Sequence, residues 1–242
     1  MDIIDSHTHW GHSLALLGVN VTSEELLQQA QQSGVERIVI FPFPSTAIAN
    51  KSINEFLLEE ARINEKFIPY WYIPEDLQPI PKEKGFRGGK WHWIRGVQDC
   101  SSNYDLLEDP KLGRFIEESE RINLPIVFEE ELAFTGTFVK MTNRLKIIIP
   151  HMGMLGGNPL DFLETFRDAK NVYFDTSLAR PATITRFIEK IGPERIIFGS
   201  DIPFGVMNQE VEKILSLSIA EDKKELILSG NIKRLIGIEN HK

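Results

Sequence analysis

The sequence predicts a (β/α)8 barrel, the TIM-barrel architecture, as a single domain over residues 1–242. Three observations carry that prediction. Eight short apolar runs recur along the chain, helical patterns separate most of them, and the whole fits 242 residues, a usual length for one barrel. An open doubly wound sheet uses the same alternation and is the alternative; the strand count favours the closed barrel. With 42% hydrophobic and 26% charged residues, the composition excludes wholesale disorder, a collagen repeat and a disulfide-stapled miniprotein. No internal repeat, low-complexity tract or interdomain linker interrupts the pattern.

Each element has its own local reason. Ile3 to His9 reads as the first strand. Thr22 to Ser33 follows as a helix, because Thr22 and Glu25 have capping-box spacing and Gly34 supplies a stop. Arg37 to Phe43 is the second strand, Asn50 to Glu65 a helix and Phe67 to Ile73 the third strand. Residues 74–92 break the rhythm. Pro74, Pro79 and Pro81 precede Gly85, Gly88 and Gly89, so the third helix is short or missing and Trp93 to Asp99 is expected as the fourth strand. Asp109-Pro110 then opens a helix to about Asn123, with Asp as cap and Pro in the first turn. Leu124 to Glu130 is the fifth strand, Phe134 to Asn143 a short helix, Leu145 to Gly153 the sixth strand and Pro159 to Ala169 a helix. Val172 to Ser177 is the seventh strand, Pro181 to Ile191 a helix and Arg195 to Asp201 the eighth strand. Asn208 to Ile219 and Glu221 to Ser229 close the chain.

Charge and cysteine content narrow the setting. The net charge is −8, and no Lys/Arg run exceeds two residues, which leaves no basic footprint for nucleic acid. Cys100 is the lone cysteine, so no internal disulfide forms, in keeping with a reducing compartment. Met1-Asp2-Ile3-Ile4-Asp5 lacks the basic and apolar regions of a signal peptide, and no apolar stretch reaches the length of a membrane span. A cytoplasmic protein acting on a small molecule is expected, without nucleic-acid or membrane partners. A homodimer is compatible with it, because the short crossing between strands three and four suggests an open mouth that a partner subunit could cover.

In such a barrel the chemistry sits at the C-terminal ends of the strands. Those ends carry His7 and His9, then Gln98 and Asp99, Glu129 to Glu131, His151, Asp175 and Asp201. His7 and His9 are two apart on a strand, so both side chains point into the mouth, where an imidazole pair can bite one metal ion. Zinc takes imidazole nitrogen and carboxylate oxygen and keeps a position open for water. Asp201 can supply the carboxylate or take a proton from the acidified water. Singly, each residue has a bland explanation: His151 as a core or cap histidine, Asp201 as a helix cap. Their joint placement on strands one, six and eight is what favours a metal site.

These segments carry a family resemblance. Asp5-Ser6-His7-Thr8-His9, Pro150-His151-Met152-Gly153, Tyr173-Phe174-Asp175-Thr176-Ser177, Phe198-Gly199-Ser200-Asp201-Ile202-Pro203 and the ending Ser229 to Gly237 resemble the amidohydrolase superfamily. The nearest branch is the amidohydrolase-related group that includes aminocarboxymuconate-semialdehyde decarboxylase. The resemblance spans almost the whole chain, and the strand-eight motif is its most specific piece. It implies a metal-dependent barrel enzyme that hydrolyses C–N or C–O bonds or decarboxylates. It also implies His7 and His9 as ligands, Asp201 as ligand and proton acceptor, and His151 as a residue that ligates or orients substrate and water.

Two departures from the family pattern stand out. Strand five offers Glu129 where the family has histidine. A carboxylate there could ligate a harder ion such as manganese, or Glu129 to Glu131 could be a solvated loop. Strand four offers Gly96-Val97-Gln98 where binuclear members carry a bridging lysine or acidic residue, which favours one ion over two.

Around the mouth, Trp10, Trp91, Trp93 and Phe204 could wall a planar substrate or simply pack loops. His92 could donate a proton or lie on the surface. Arg95 and Arg180 could fork a substrate carboxylate or form structural ion pairs. Asp175 is expected to support the site by hydrogen bonds, and His12 to stay outside the ligand set. The expected enzyme is a hydrolase with one divalent ion per chain, zinc before manganese, held by His7, His9, Glu129 and Asp201. Metal-activated water would attack an ester, lactone or amide carbonyl, with His151 stabilising the developing charge. The alternatives are non-oxidative decarboxylation of a small unsaturated or aromatic acid at the same site, a metal-independent lactonase, and a non-catalytic binding barrel.

Overall fold

The computed structural model describes residues 2–92, 94–96 and 99–238. Eight parallel strands form the wall: β1 (Ile4–His12), β2 (Arg37–Pro42), β3 (Phe67–Tyr72), β4 (Gly88–Trp91), β5 (Ile126–Phe128), β6 (Ile147–Ile149), β7 (Val172–Asp175) and β8 (Ile196–Ile197). They neighbour one another in sequence order. The ring closes between β1 and the segment after β8. There Ser6 N–H donates to the Phe198 carbonyl at 3.1 Å, His9 N–H to Ile202 at 2.9 Å and Asp201 N–H to His7 at 2.7 Å. A two-residue strand, Asn20–Val21, pairs antiparallel with the end of β1. The chain is therefore the (β/α)8 barrel that the pattern of apolar runs predicts.

Period-two alternation divides the core into two shells. Ile4, Val39, Phe41, Ile68, Tyr70, Val127, Ile148 and Ile197 face the barrel axis. Ile38, Ile40, Ile126, Phe128, Ile147, Ile149, Phe174 and Ile196 face outward, toward the helices. Those helices are α1 (Ser23–Ser33), α2 (Pro44–Ala49), α3 (Ile53–Ile63), α4 (Leu112–Ile122), α5 (Leu132–Lys140), α6 (Pro159–Phe166), α7 (Pro181–Ile191), α8 (Met207–Leu215), α9 (Glu221–Glu225) and α10 (Asn231–Ile236). On α1 the capping box forms as its spacing requires. Thr22 Oγ1 accepts from Glu25 N–H at 3.1 Å, Glu25 Oε2 accepts from Thr22 N–H at 2.9 Å, and Gly34 ends the helix at φ 69°. The last helix, α10, closes the barrel instead of covering its side. Its Ile232, Leu235 and Ile236 join the inner shell and plug the floor.

Strand four is where the structure departs from the sequence reading. The wall strand is Gly88–Trp91, with Gly88 opposite Tyr70 on β3 and Gly89 opposite Ile126 on β5. Gly88 and Gly89 look like loop formers, but packing demands a glycine at 88: a Cβ there would stand 2.4 Å from the Tyr70 ring carbon Cζ. Trp93 to Asp99 is not the fourth strand. Ile94–Gly96 pairs antiparallel with Asp99–Ser102 in a separate two-stranded sheet, and Trp93, Val97 and Gln98 lie outside the described residues. Between β3 and β4 the helix is reduced to one 3₁₀ turn, Lys82–Lys84, in agreement with the proline and glycine spacing. No helix among the described residues is long and apolar enough to cross a membrane.

Candidate metal centre

His7 and His9 leave β1 toward the axis, and Asp201 reaches them from the far side of the closing seam. Both imidazole Nε2 atoms stand 3.3 Å from Asp201 Oδ1. Two donor atoms that share one ion at roughly 2.0–2.2 Å stand about 3.0–3.4 Å apart, so this spacing is that of ligands around one cation. His7 Nε2, His9 Nδ1 and Asp201 Oδ1 are also buried without a hydrogen-bond partner. Orphaned buried acceptors cost free energy unless something positive meets them, and a divalent ion would meet His7 Nε2 and Asp201 Oδ1, whereas His9 turns Nε2 to that position and keeps Nδ1 away from it. The donor set of two imidazoles and a carboxylate thus fits such an ion.

The backbone is bent to produce this convergence. Asp201 and His151 sit in the left-handed region at φ 58° and 53°, as does Met152 at 53°. Such conformations in non-glycine residues persist where surrounding contacts fix them. At Asp201 those contacts include Phe204 N–H and Gly205 N–H, donating to its carbonyl at 2.7 and 3.1 Å. Gly199 lets the seam close, since a Cβ there would meet His7 Cβ at 2.8 Å.

Asp175 at the end of β7 organises the ring orientations. Its Oδ2 accepts from His7 Nδ1 at 2.7 Å, and its Oδ1 accepts from the backbone N–H groups of His151 at 2.9 Å and Ser177 at 3.0 Å. Ser177 Oγ donates to the same Oδ1. Burial pushes this carboxyl up, but the His7 ring and the donated hydrogen bonds outweigh it and hold the pKa at about 2. Burial pushes His7 down despite Asp175 and Asp201, and pushes His9 well down with help from the Lys90 ammonium. Both rings are therefore held neutral, the state a metal needs. Burial pushes Asp201 up, against the pull of His7 and His151.

On the opposite side of the mouth, Glu129 is largely buried and ion-paired, not a solvated loop residue. Its Oε2 accepts from Lys90 Nζ, which is fully buried on β4 and lies 4.7 Å from the Phe41 ring centroid. Burial pushes Glu129 up, yet Lys90, with help from His92 and His151, holds it well below the usual carboxylate range. Glu129 Oε1 stands 3.9 Å from His151 Nε2. His7, Glu129 and His151 form a second group of donor atoms close enough to share an ion. Glu129 thus shares His7 with the first group but is grouped with neither His9 nor Asp201. Strand four turns Lys90 inward, and Gln98 lies outside the described residues.

The amidohydrolase family matches residues 4–238, nearly the full chain. This chain belongs to the amidohydrolase family. Among solved structures it resembles a 2,6-dihydroxybenzoate decarboxylase from Rhizobium at 19% identity, with 99% of this chain and 100% of that one covered and a TM-score of 0.77. It resembles a dihydroxybenzoic acid decarboxylase from a Polaromonas species, with bound manganese and the inhibitor 2-nitroresorcinol, at 17% identity, 99% and 98% coverage and a TM-score of 0.76. An amidohydrolase from Burkholderia multivorans with bound zinc matches at 13% identity, 99% and 100% coverage and a TM-score of 0.77. No curated protein matches the sequence.

The remaining expected residues of this amidohydrolase divide sharply. Phe204 is at the mouth, 51% exposed, edge-on to His9 at 5.7 Å and to Phe43 at 6.4 Å. Phe43, which the sequence does not single out, stacks on His9 at 4.6 Å. Trp10 is half-buried and donates from Nε1 to Ser23 Oγ at 3.0 Å, so it ties β1 to α1. Trp91 does not wall the mouth: it is fully buried in the outer shell, stacked on Phe128 and donating to Glu130 Oε1 at 3.1 Å. His92 is half-buried, with Nδ1 2.7 Å from the Glu129 carbonyl oxygen. Arg180 is exposed at the N-cap of α7, and His12 is exposed. Arg95 lies on the separate Ile94–Gly96 strand, and its side chain is outside the described residues.

Phe43, Lys90 and Ser177 are residues of the candidate site that the sequence reading does not single out. For Ser177 a signal exists, since it follows the strand-seven Asp175 by two residues, the reach of a side chain that hydrogen-bonds back to its own strand end. Lys90 has none, because its strand is hidden behind two glycines.

Proposed function

We propose that this amidohydrolase is a metal-dependent lyase that decarboxylates a small aromatic or unsaturated acid without oxidation. The observation that carries this reading is the convergence of His7 Nε2, His9 Nε2 and Asp201 Oδ1 beside the rings of Phe41, Phe43 and Phe204, all in contact with His9. Flat apolar rings beside a cation position favour a planar substrate and disfavour bulk water. Similarity in fold to decarboxylases supports the same choice.

His7, His9 and Asp201 would hold one divalent ion, zinc first and manganese second. When bound, that ion supplies a Lewis acid for an oxygen of the substrate. Phe43 and Phe204 hold the ring of the acid, and Arg180, exposed at the N-cap of α7, can meet its carboxylate from solvent. The C–C bond to the carboxylate breaks, carbon dioxide leaves, and the electron pair stays on the ring or alkene carbon. Asp201, through Oδ2, the oxygen left over when Oδ1 turns to the imidazoles, would relay a proton from water to that carbon.

Hydrolysis of an ester, lactone or amide is the second reading, supported by the same imidazole–carboxylate set, which also suits activation of water. The deciding experiment supplies zinc- or manganese-loaded protein with carboxyl-labelled hydroxybenzoates and unsaturated acids in deuterium oxide, and with a panel of esters, lactones and amides. Labelled carbon dioxide with one deuterium on the product carbon is the expected outcome. Turnover of the ester, lactone or amide panel with no carbon dioxide from any acid would replace this reading by hydrolysis.

A further inference from the structure

We propose that Ser177 is a positioning residue that fixes the tautomer of His151, so that His151 meets the substrate side of the site as a proton acceptor at Nε2. Counting protons leads there. Asp175 Oδ1 receives the backbone N–H groups of His151 and Ser177, which can only donate, and so acts as an acceptor. Ser177 Oγ also contacts that oxygen, and its single hydroxyl proton is committed there. The same Oγ lies 2.9 Å from His151 Nδ1 and has only lone pairs left to offer. The proton in that contact therefore belongs to His151 Nδ1. A neutral imidazole with its proton on Nδ1 carries its lone pair on Nε2.

That lone pair is aimed away from the Asp175 network. Nε2 faces Glu129, whose Oε1 stands 3.9 Å off, beyond hydrogen-bond reach. One carboxylate thus sets two rings. It holds the His7 tautomer directly through Nδ1 and the His151 tautomer through a serine relay. The consequence reverses the role expected of His151 from sequence. It does not donate to a developing oxyanion; it takes a hydrogen from whatever group, water or a substrate hydroxyl, lies between it and Glu129. This holds whether the reaction is decarboxylation or hydrolysis, and its test needs no substrate.

Nitrogen-15 NMR of imidazole-labelled protein reads the tautomer directly, with His151→Gln used to assign the signal. The experiment is run at about pH 8, with and without added zinc. The wild type is expected to show His151 with its proton on Nδ1. Ser177→Ala should move the proton wholly or partly to Nε2, and Ser177→Thr, which keeps the hydroxyl, should restore the wild-type pattern. A wild-type ring protonated on Nε2, or on both nitrogens, overturns the proposal. So does a Ser177→Ala ring that keeps its proton on Nδ1 alone. The wild-type spectrum decides the tautomer even if a variant fails to fold.

Discussion

The two halves of the barrel mouth handle charge in opposite ways. On the side of β1, β7 and β8, Asp201 Oδ1 and His7 Nε2 are buried acceptors with no proton to share. On the side of β4 and β5, Lys90 and Glu129 neutralise each other. Two groups of three donor atoms form, with His7 common to both, yet the carboxylate of the second is answered by Lys90 while that of the first has no such ammonium beside it among the described residues. The difference teaches that ligand geometry alone does not locate an ion; the residual charge does. It also explains why a carboxylate at the end of β5 is tolerated, since a fixed ammonium stands beside it on the neighbouring strand.

The strongest way to break the comparison is to remove the ammonium. Lys90→Met leaves Glu129 uncompensated and should lower stability by about 3–5 kcal/mol in chemical denaturation. The double variant with Glu129→Gln should recover much of the loss. A single variant of wild-type stability would mean the pair is not closed. Gly88→Ala probes the strand that places Lys90. Its Cβ would meet the Tyr70 ring at 2.4 Å, so a loss at the upper end of about 1–3 kcal/mol is expected from the same measurement.

The opposite half is tested through Asp175. Its carboxyl titrates at about 2 in the fold against 3.8 as a free side chain, a difference of about 2 kcal/mol. Because the folded value is the lower one, that stabilisation is present above about pH 4 and fades as the pH falls toward 2. Asp175→Asn should therefore be less stable than the wild type near neutrality, with the gap closing in acid. A gap constant with pH would place the contribution elsewhere. Phe204→Ala, at a half-exposed ring, should shift stability by no more than about 0.5 kcal/mol and act only on ligand binding.

Legibility in the sequence follows the same divide. His7, His9 and Asp201 are readable because each ends a strand whose apolar run is local and complete. The α1 capping box and the missing third helix are readable because Thr22, Glu25, Pro74, Pro79 and Pro81 act on their own neighbours. Strand four is not readable, because the role of Gly88 is set by a ring on β3, and sequence-local reasoning sees only a loop former. The same error displaces Trp91 from the core to the mouth and hides Lys90. Glu129 stands out in the sequence, but its partner lies on the misplaced strand, so its pairing could not be foreseen. Ser177 lies in plain sight; its role emerges only when His151 and Asp175 are brought against it.

The most direct test of the central claim is metal content by elemental analysis, on protein reconstituted with zinc and with manganese and then freed of loose ions. Wild type, His9→Ala and Glu129→Gln are compared. One ion per chain in the wild type, lost in His9→Ala and retained in Glu129→Gln, is the outcome predicted by a centre of His7, His9 and Asp201. A folded wild type that binds no ion, or an ion kept in His9→Ala and lost in Glu129→Gln, would contradict it.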